Sequence, residues 1–210
     1  MTNKRLRLYL IRHGEVEGAE IGRVLGWTDS PLSERGLAQS RQLAEALVSS
    51  ELSAVYSSDL QRARVMAEQI AKHHYLDARP DQAWREIDMG EWDGQTIASL
   101  YDAAPDLVAH LFDDPASFEY PGGESFVTFI ARVHGALDEL LVTHETEEVA
   151  LVAHGGVCRA IIGTALGMPA KNWLRLTQDY GCLNVIDWYE RNPVLRMLNH
   201  CSGLKLQKLS

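Results

Sequence analysis

Residues 8–17 read LYLIRHGEVE: four apolar residues, Leu8 to Ile11, run straight into Arg12, His13 and Gly14. An apolar run this short, closed by a glycine, reads as a buried strand that stops in a tight turn. Arg12 and His13 then stand at the carboxyl tip of that strand, which is where ligands bind in open α/β sheets. The stretch EVALVAHGG at 148–156 repeats the pattern, an apolar run followed by His154, Gly155 and Gly156. If the two strands are neighbours in one sheet, His13 and His154 come together.

The intervening sequence supplies the rest of a parallel sheet. Ser33 is a candidate N-cap for a helix over ERGLAQSRQLAEALVSS, with Leu37, Leu43 and Leu47 as candidate core residues. AVYSS at 54–58 reads as a second strand. Asp59 is a candidate N-cap for the helix LQRARVMAEQIAKHH, which offers Arg62 in its first turn. Strand, helix, strand, helix implies parallel strands covered by helices. Residues 18–32 and about 79–123 are irregular, the latter rich in Asp, Pro, Gly and Trp with helical patches near 96–112, as segments that wall or cover an α/β site often are. A long helix follows Ser125, and GCLNVIDWYE with PVLRMLNH reads as a closing pair of strands. The expectation is one domain over 1–210, a three-layer α/β/α sandwich around a mostly parallel sheet.

Composition narrows the function classes. The 210 residues carry 20 Lys and Arg against 29 Asp and Glu, a net charge of −9, which disfavours a nucleic-acid or anionic membrane partner. An anionic substrate would need a local cluster of cations working against that field. Cys158, Cys182 and Cys201 are odd in number, lack CxxC spacing and sit in apolar sequence, the usage of buried thiols in a reducing compartment. The first apolar run ends at Arg12, too short for a signal-peptide core, and no segment has the roughly 18 consecutive apolar residues of a membrane span. The chain reads as cytoplasmic.

Arg12, Arg62 and two histidines at one sheet edge, with helix N-termini adding backbone donors, suit a phosphoryl group. A metal site from His13, His154 and Glu86 is conceivable by ligand type, but two adjacent arginines would repel a divalent cation, so neither metal nor cofactor is expected.

Five motifs in order, LIRHGE, SSDLQRAR, REIDMGEWDG, YPGGES and VAHGG, resemble the histidine phosphatase superfamily of cofactor-dependent phosphoglycerate mutases and small phosphatases. The resemblance implies a phosphoglycerate mutase-like fold. It also implies that His13 is the nucleophile that becomes phosphohistidine, with Arg12, Arg62 and His154 forming the phosphate pocket. Glu86 would protonate the leaving oxygen and then activate water, although Asp88 and Glu91 compete for that role. Gly14 and Gly155 would let the backbone approach the phosphate. Many relatives carry polar residues where this chain has Val16 and Ala19; Arg23, in the same loop, is a candidate extra contact. Trp84 and Trp92 could wall the substrate pocket or simply pack.

The implied activity is hydrolysis of a small phosphorylated metabolite. Mutases of this type usually read LNERHYG where this chain has WREIDMGEW, and they carry a longer segment before the second histidine. LGWTDSPLSERG and GEWDG resemble α-ribazole phosphatases, features that phosphosugar and nucleotide phosphatases share. A phosphoglycerate mutase and, in another class, a non-catalytic phosphate-binding module are the alternatives. Oligomeric state stays open, although the superfamily often forms homodimers.

Overall fold

A computed structural model describes residues 4–201, so the two ends of the expected 1–210 domain lie outside the described residues. Six strands form one sheet: β1 Lys4–Arg12, β2 Leu52–Ser57, β3 Ala78–Pro80, β4 Glu147–Ala153, β5 Leu183–Tyr189 and β6 Val194–His200. Their order is β3-β2-β4-β1-β5-β6. The first four in that order run parallel, and β5 and β6 add an antiparallel edge. The helices are α1 Glu34–Leu47, α2 Gln61–His73, α3 Ile97–Ala103, α4 Pro105–Asp113, α5 Phe126–Thr143 and α6 Gly155–Ala165.

The runs Leu8–Ile11 of β1 and Val149–Ala153 of β4 are apolar without interruption because both of their faces are covered. Alternate residues enter different cores: Leu6, Leu8 and Leu10 with Val149 and Leu151 pack among Phe129, Val133, Leu137 and Ile161 of α5 and α6. Tyr9 and Ile11 with Ala150 and Val152 pack among Leu43, Leu47, Met66 and Ile70 of α1 and α2. This period of two gives the three layers that the sequence predicts. Trp84, Trp92, Leu100, Val108 and Phe118 from the irregular middle join the α5–α6 core, so that segment is anchored by burial.

Local expectations fare unevenly. Ser33 caps α1, its hydroxyl accepting from the Gly36 N–H, and Leu43 and Leu47 are buried while Leu37 is only half-buried. Asp59 does not cap α2. Its carboxylate is taken by Arg85 at 2.7 and 2.6 Å, and Asp29, from the loop before α1, accepts the Gln61 N–H at 2.8 Å instead. Cys158 and Cys182 are buried as expected, whereas Cys201 is exposed at the end of β6. No helix among the described residues is long and apolar enough to cross a membrane.

Candidate active site

The pairing of β1 with β4 sets Arg12 beside Ala153, which brings the two histidine tips together. The His13 N–H donates to the Ala153 carbonyl at 3.0 Å, and the His13 carbonyl accepts from Gly181 at 2.9 Å, so the backbone is clamped between β4 and the entry to β5. The imidazoles of His13 and His154 meet edge to face with ring centroids 5.1 Å apart. Both are almost fully buried, with relative exposures of 5% and 1%.

Hydrogen bonds fix the tautomer of each ring. His13 Nδ1 lies 2.7 Å from the Gly14 carbonyl, which can only accept, so Nδ1 carries the proton and Nε2 keeps a free lone pair. His154 Nδ1 lies 3.3 Å from Arg62 Nε, which can only donate, so the proton sits on Nε2. That buried Nε2–H has no hydrogen-bond partner among the described residues. Burial, followed by the fields of Arg62 and Arg12, holds the His13 pKa well below the usual histidine value. Burial and the same two arginines, with His13, do likewise for His154. The pair is therefore neutral at pH 7, one ring a base and the other a donor.

Arg62 enters from the first turn of α2 with no exposed surface. Its guanidinium is aimed by the Gly26 and Thr28 carbonyls, at 2.6 and 2.7 Å, and by His154. Each terminal nitrogen has two N–H groups, so one remains on each for a ligand. Arg12 is steered by the Gln178 carbonyl at 2.5 Å and lies 3.9 Å over the Tyr180 ring, while its buried Nε has no partner among the described residues. The result is a small cationic site within an acidic protein.

Glu86 is held from four sides. Its carbonyl accepts from Trp27 Nε1 at 2.9 Å and from Arg132 at 3.3 Å, and Arg132 also donates to the Ala83 and Arg85 carbonyls. Its carboxylate accepts from its own neighbour Ile87 at 3.0 Å and from the Gly156 N–H, at the start of α6, at 2.8 Å. A Cβ at position 156 would lie 2.1 Å from Glu86 Oε1, so glycine is required for this approach. Asp88 accepts from Gly90 within its own turn, and Glu91 is exposed.

The superfamily model for histidine phosphatases, branch 1, matches residues 8–200. The chain belongs to the histidine phosphatase superfamily. The chain is 32% identical over 194 residues to phosphoserine phosphatase 1 of Hydrogenobacter thermophilus, covering 92% of each chain. It is 35% identical over 190 residues to the probable phosphoglycerate mutase GpmB of Proteus mirabilis, covering 90% of this chain and 88% of that one. Among solved structures, the α-ribazole phosphatase from Shigella flexneri superposes with a TM-score of 0.84 at 28% identity, covering 94% of this chain and 98% of that one. The fold is thus the phosphoglycerate mutase-like one.

Not every expected residue joins the cluster. Arg23 is exposed, its backbone bridges to Thr96, and no hydrogen bond or ion pair links its side chain to the histidines among the described residues. Gly14 has a packing role as well: a Cβ there would meet the Gly36 carbonyl oxygen at 2.6 Å, so glycine lets the turn pack on α1. A Cβ at Gly155 would stand 3.0 Å from Arg159 Nη1 and 3.6 Å from Arg12 Nε, so this glycine does leave room beside the cationic site. Val16 is buried and bridges to Leu32, an apolar pin. Trp84 and Trp92 pack in the core and line neither of the two cavities described below.

Nothing in the sequence marks Gly156 as the seat of the carboxylate, or Arg132, Trp27 and Tyr180 as supports. A cavity of about 130 Å³ opens beside Glu86 and Gly156. A larger one, about 490 Å³, lies between α1 and the β5–β6 pair; of the cluster it touches Tyr180, and none of His13, His154, Arg12, Arg62 or Glu86 lines it. Among the described residues no three His, Cys, Asp or Glu side chains gather as a metal ion would require.

Proposed function

We propose that this chain is a phosphomonoesterase that hydrolyses a small phosphorylated metabolite through a phosphohistidine on His13, without a metal ion. The observation that carries the reading is the fixed pair of tautomers, a free lone pair on His13 Nε2 beside an unpartnered N–H on His154 Nε2. His13 Nε2 attacks phosphorus, an N–P bond forms, and the P–O bond to the alcohol breaks. Glu86 gives its proton to the departing oxygen. In the second half Glu86 takes a proton from water, the hydroxyl oxygen attacks phosphorus, and the N–P bond breaks to release phosphate. Arg12, Arg62 and the His154 N–H hold the non-bridging oxygens, where negative charge must be stabilised throughout.

Likeness to the Shigella flexneri protein supports α-ribazole 5'-phosphate as a candidate substrate. The name of the Proteus mirabilis relative supports a second reading, a phosphoglycerate mutase that returns the phosphoryl group to the substrate. The deciding experiment is steady-state phosphate release in EDTA from 3-phosphoglycerate, α-ribazole phosphate, phosphoserine, sugar phosphates and nucleotides, for the parent and His13→Ala. Release that survives EDTA and vanishes in the variant is expected. Isomerisation of 3-phosphoglycerate with no net release would favour the mutase, and vanadate binding without any turnover would favour a binding module. We further expect the protein to work in the cytoplasm on a small substrate, with no nucleic-acid or membrane partner.

A further inference from the structure

The cavity beside Glu86 and Gly156 is where the alcohol part of an ester held by His13 would leave, and its chemistry is specific. Phe118, Tyr120, Phe126, Phe129 and Trp173 line it together with aliphatic residues such as Leu111. The charged side chains in its lining are Glu86 and Arg159. Arg159 faces the phosphate end, since its Nη1 stands 3.0 Å from where a Gly155 Cβ would lie, next to Arg12 Nε, and its own Nε donates to the Leu176 carbonyl at 2.9 Å. A carboxylate on the leaving group would enter an apolar space walled by aromatic rings, at a cost in desolvation. One neutral polar group remains, the Tyr120 hydroxyl, for which no hydrogen bond is formed among the described residues. At about 130 Å³ the cavity is close to the size, about 150 Å³, at which an apolar cavity in another protein takes up benzene.

We infer that the leaving group of this enzyme's substrate carries an apolar body of about one ring, aromatic or alicyclic, seated among Phe118, Phe126, Phe129 and Trp173. The inference rests on the phosphomonoesterase reading and separates this chain from relatives whose names point to phosphoserine and phosphoglycerate, which are carboxylate-bearing esters.

The test is kcat/KM for a series of unactivated alkyl esters, so that leaving-group chemistry stays matched: ethyl, 2-phenylethyl and 2-cyclohexylethyl phosphate, with 3-phosphoglycerate and phosphoserine. Burial of a ring-sized apolar group predicts that 2-phenylethyl phosphate exceeds ethyl phosphate by about 10- to 150-fold. Parity of the cyclohexyl ester with the phenyl ester assigns plain apolar burial, a phenyl preference assigns ring stacking, and either supports the inference. Ala170→Phe, which fills the cavity from its rim, is expected to pull the phenylethyl-to-ethyl ratio toward one. A parent ratio within about threefold of one, or a preference for either carboxylate ester, overturns the inference while leaving the phosphatase intact. Release from none of the esters overturns the phosphatase reading and this inference with it.

Discussion

Replacing Gly156 by alanine separates the chemistry of the site from its folding. The added Cβ would lie 2.1 Å from Glu86 Oε1 and 3.0 Å from Cδ. A carbon and an oxygen rest about 3.3 Å apart, so the carboxylate must withdraw by about 1 Å. Glu86 is the far end of a side chain and can move, and the backbone has no reason to. Alanine gains up to about 1 kcal/mol of helix propensity at the start of α6, while the bond from the Gly156 N–H to the carboxylate, worth about 1.5–3 kcal/mol, is lost. The net cost is about 3 kcal/mol at most, a fall in Tm of no more than about 12 °C for a chain of this size. Catalysis should suffer far more, because a 1 Å displacement of an acid–base group costs about 100-fold. With an alkyl ester, kcat should drop by about that factor with phosphate binding retained. With 4-nitrophenyl phosphate, whose leaving group departs unaided, the first step should survive and the second should not, giving a burst of nitrophenolate equal to the enzyme concentration. Gly156→Ala turning over an alkyl ester at the parental rate would refute the placement of Glu86 in the chemistry.

Other consequences follow from the same geometry. His13 and His154 have folded-state pKa values below their unfolded ones, so the unfolded chain binds more protons in acid. Stability from this pair is complete above about pH 6.5 and falls as pH drops below it, by up to about 2.7 kcal/mol per pH unit until the folded-state values are reached; urea titrations between pH 7 and pH 5 should show the decline, and a flat profile would contradict neutral buried rings. Arg62→Lys cannot reach the Gly26 and Thr28 carbonyls and His154 together, so it should lose about 2–4 kcal/mol of stability and at least tenfold in vanadate affinity, read by calorimetry. Asp29→Ala should uncap α2 at a cost of about 1 kcal/mol, measured as a shift in denaturation midpoint, whereas no loss would return the capping role to another residue.

What the sequence made legible was whatever depends on period and order. The apolar runs before His13 and His154 have no polar residue to turn toward solvent, and that alone places them inside a covered parallel sheet with both histidines at its edge. Glu86 has no such periodicity around it, and only the resemblance of REIDMGEWDG to the superfamily singled it out. Its supports were silent because each is a long-range contact: Gly156 lies 70 positions away, and Arg132 reads from the sequence as one polar residue on a long helix. Asp59 and Asp29 show the same limit in reverse. Asp59 stands at the capping position by sequence, but the bidentate demand of Arg85 takes its carboxylate, and a loop residue 32 positions before Gln61 supplies the cap. The aromatic cavity was hidden likewise, its rings coming from the irregular middle segment, α5 and the turn that holds Trp173.

In the proposed mechanism phosphoryl passes through His13 Nε2. The most direct measurement is to mix the enzyme with excess 2-phenylethyl phosphate in EDTA, quench with base within one turnover, and map the phosphorylated peptide by mass spectrometry. One phosphoryl group on His13 is expected, labile to acid, formed at least as fast as turnover, absent from His13→Asn, and accumulated in Gly156→Ala when 4-nitrophenyl phosphate replaces the alkyl ester. Turnover with no phosphorylated enzyme at any quench time, or a label on His154 in place of His13, would contradict it.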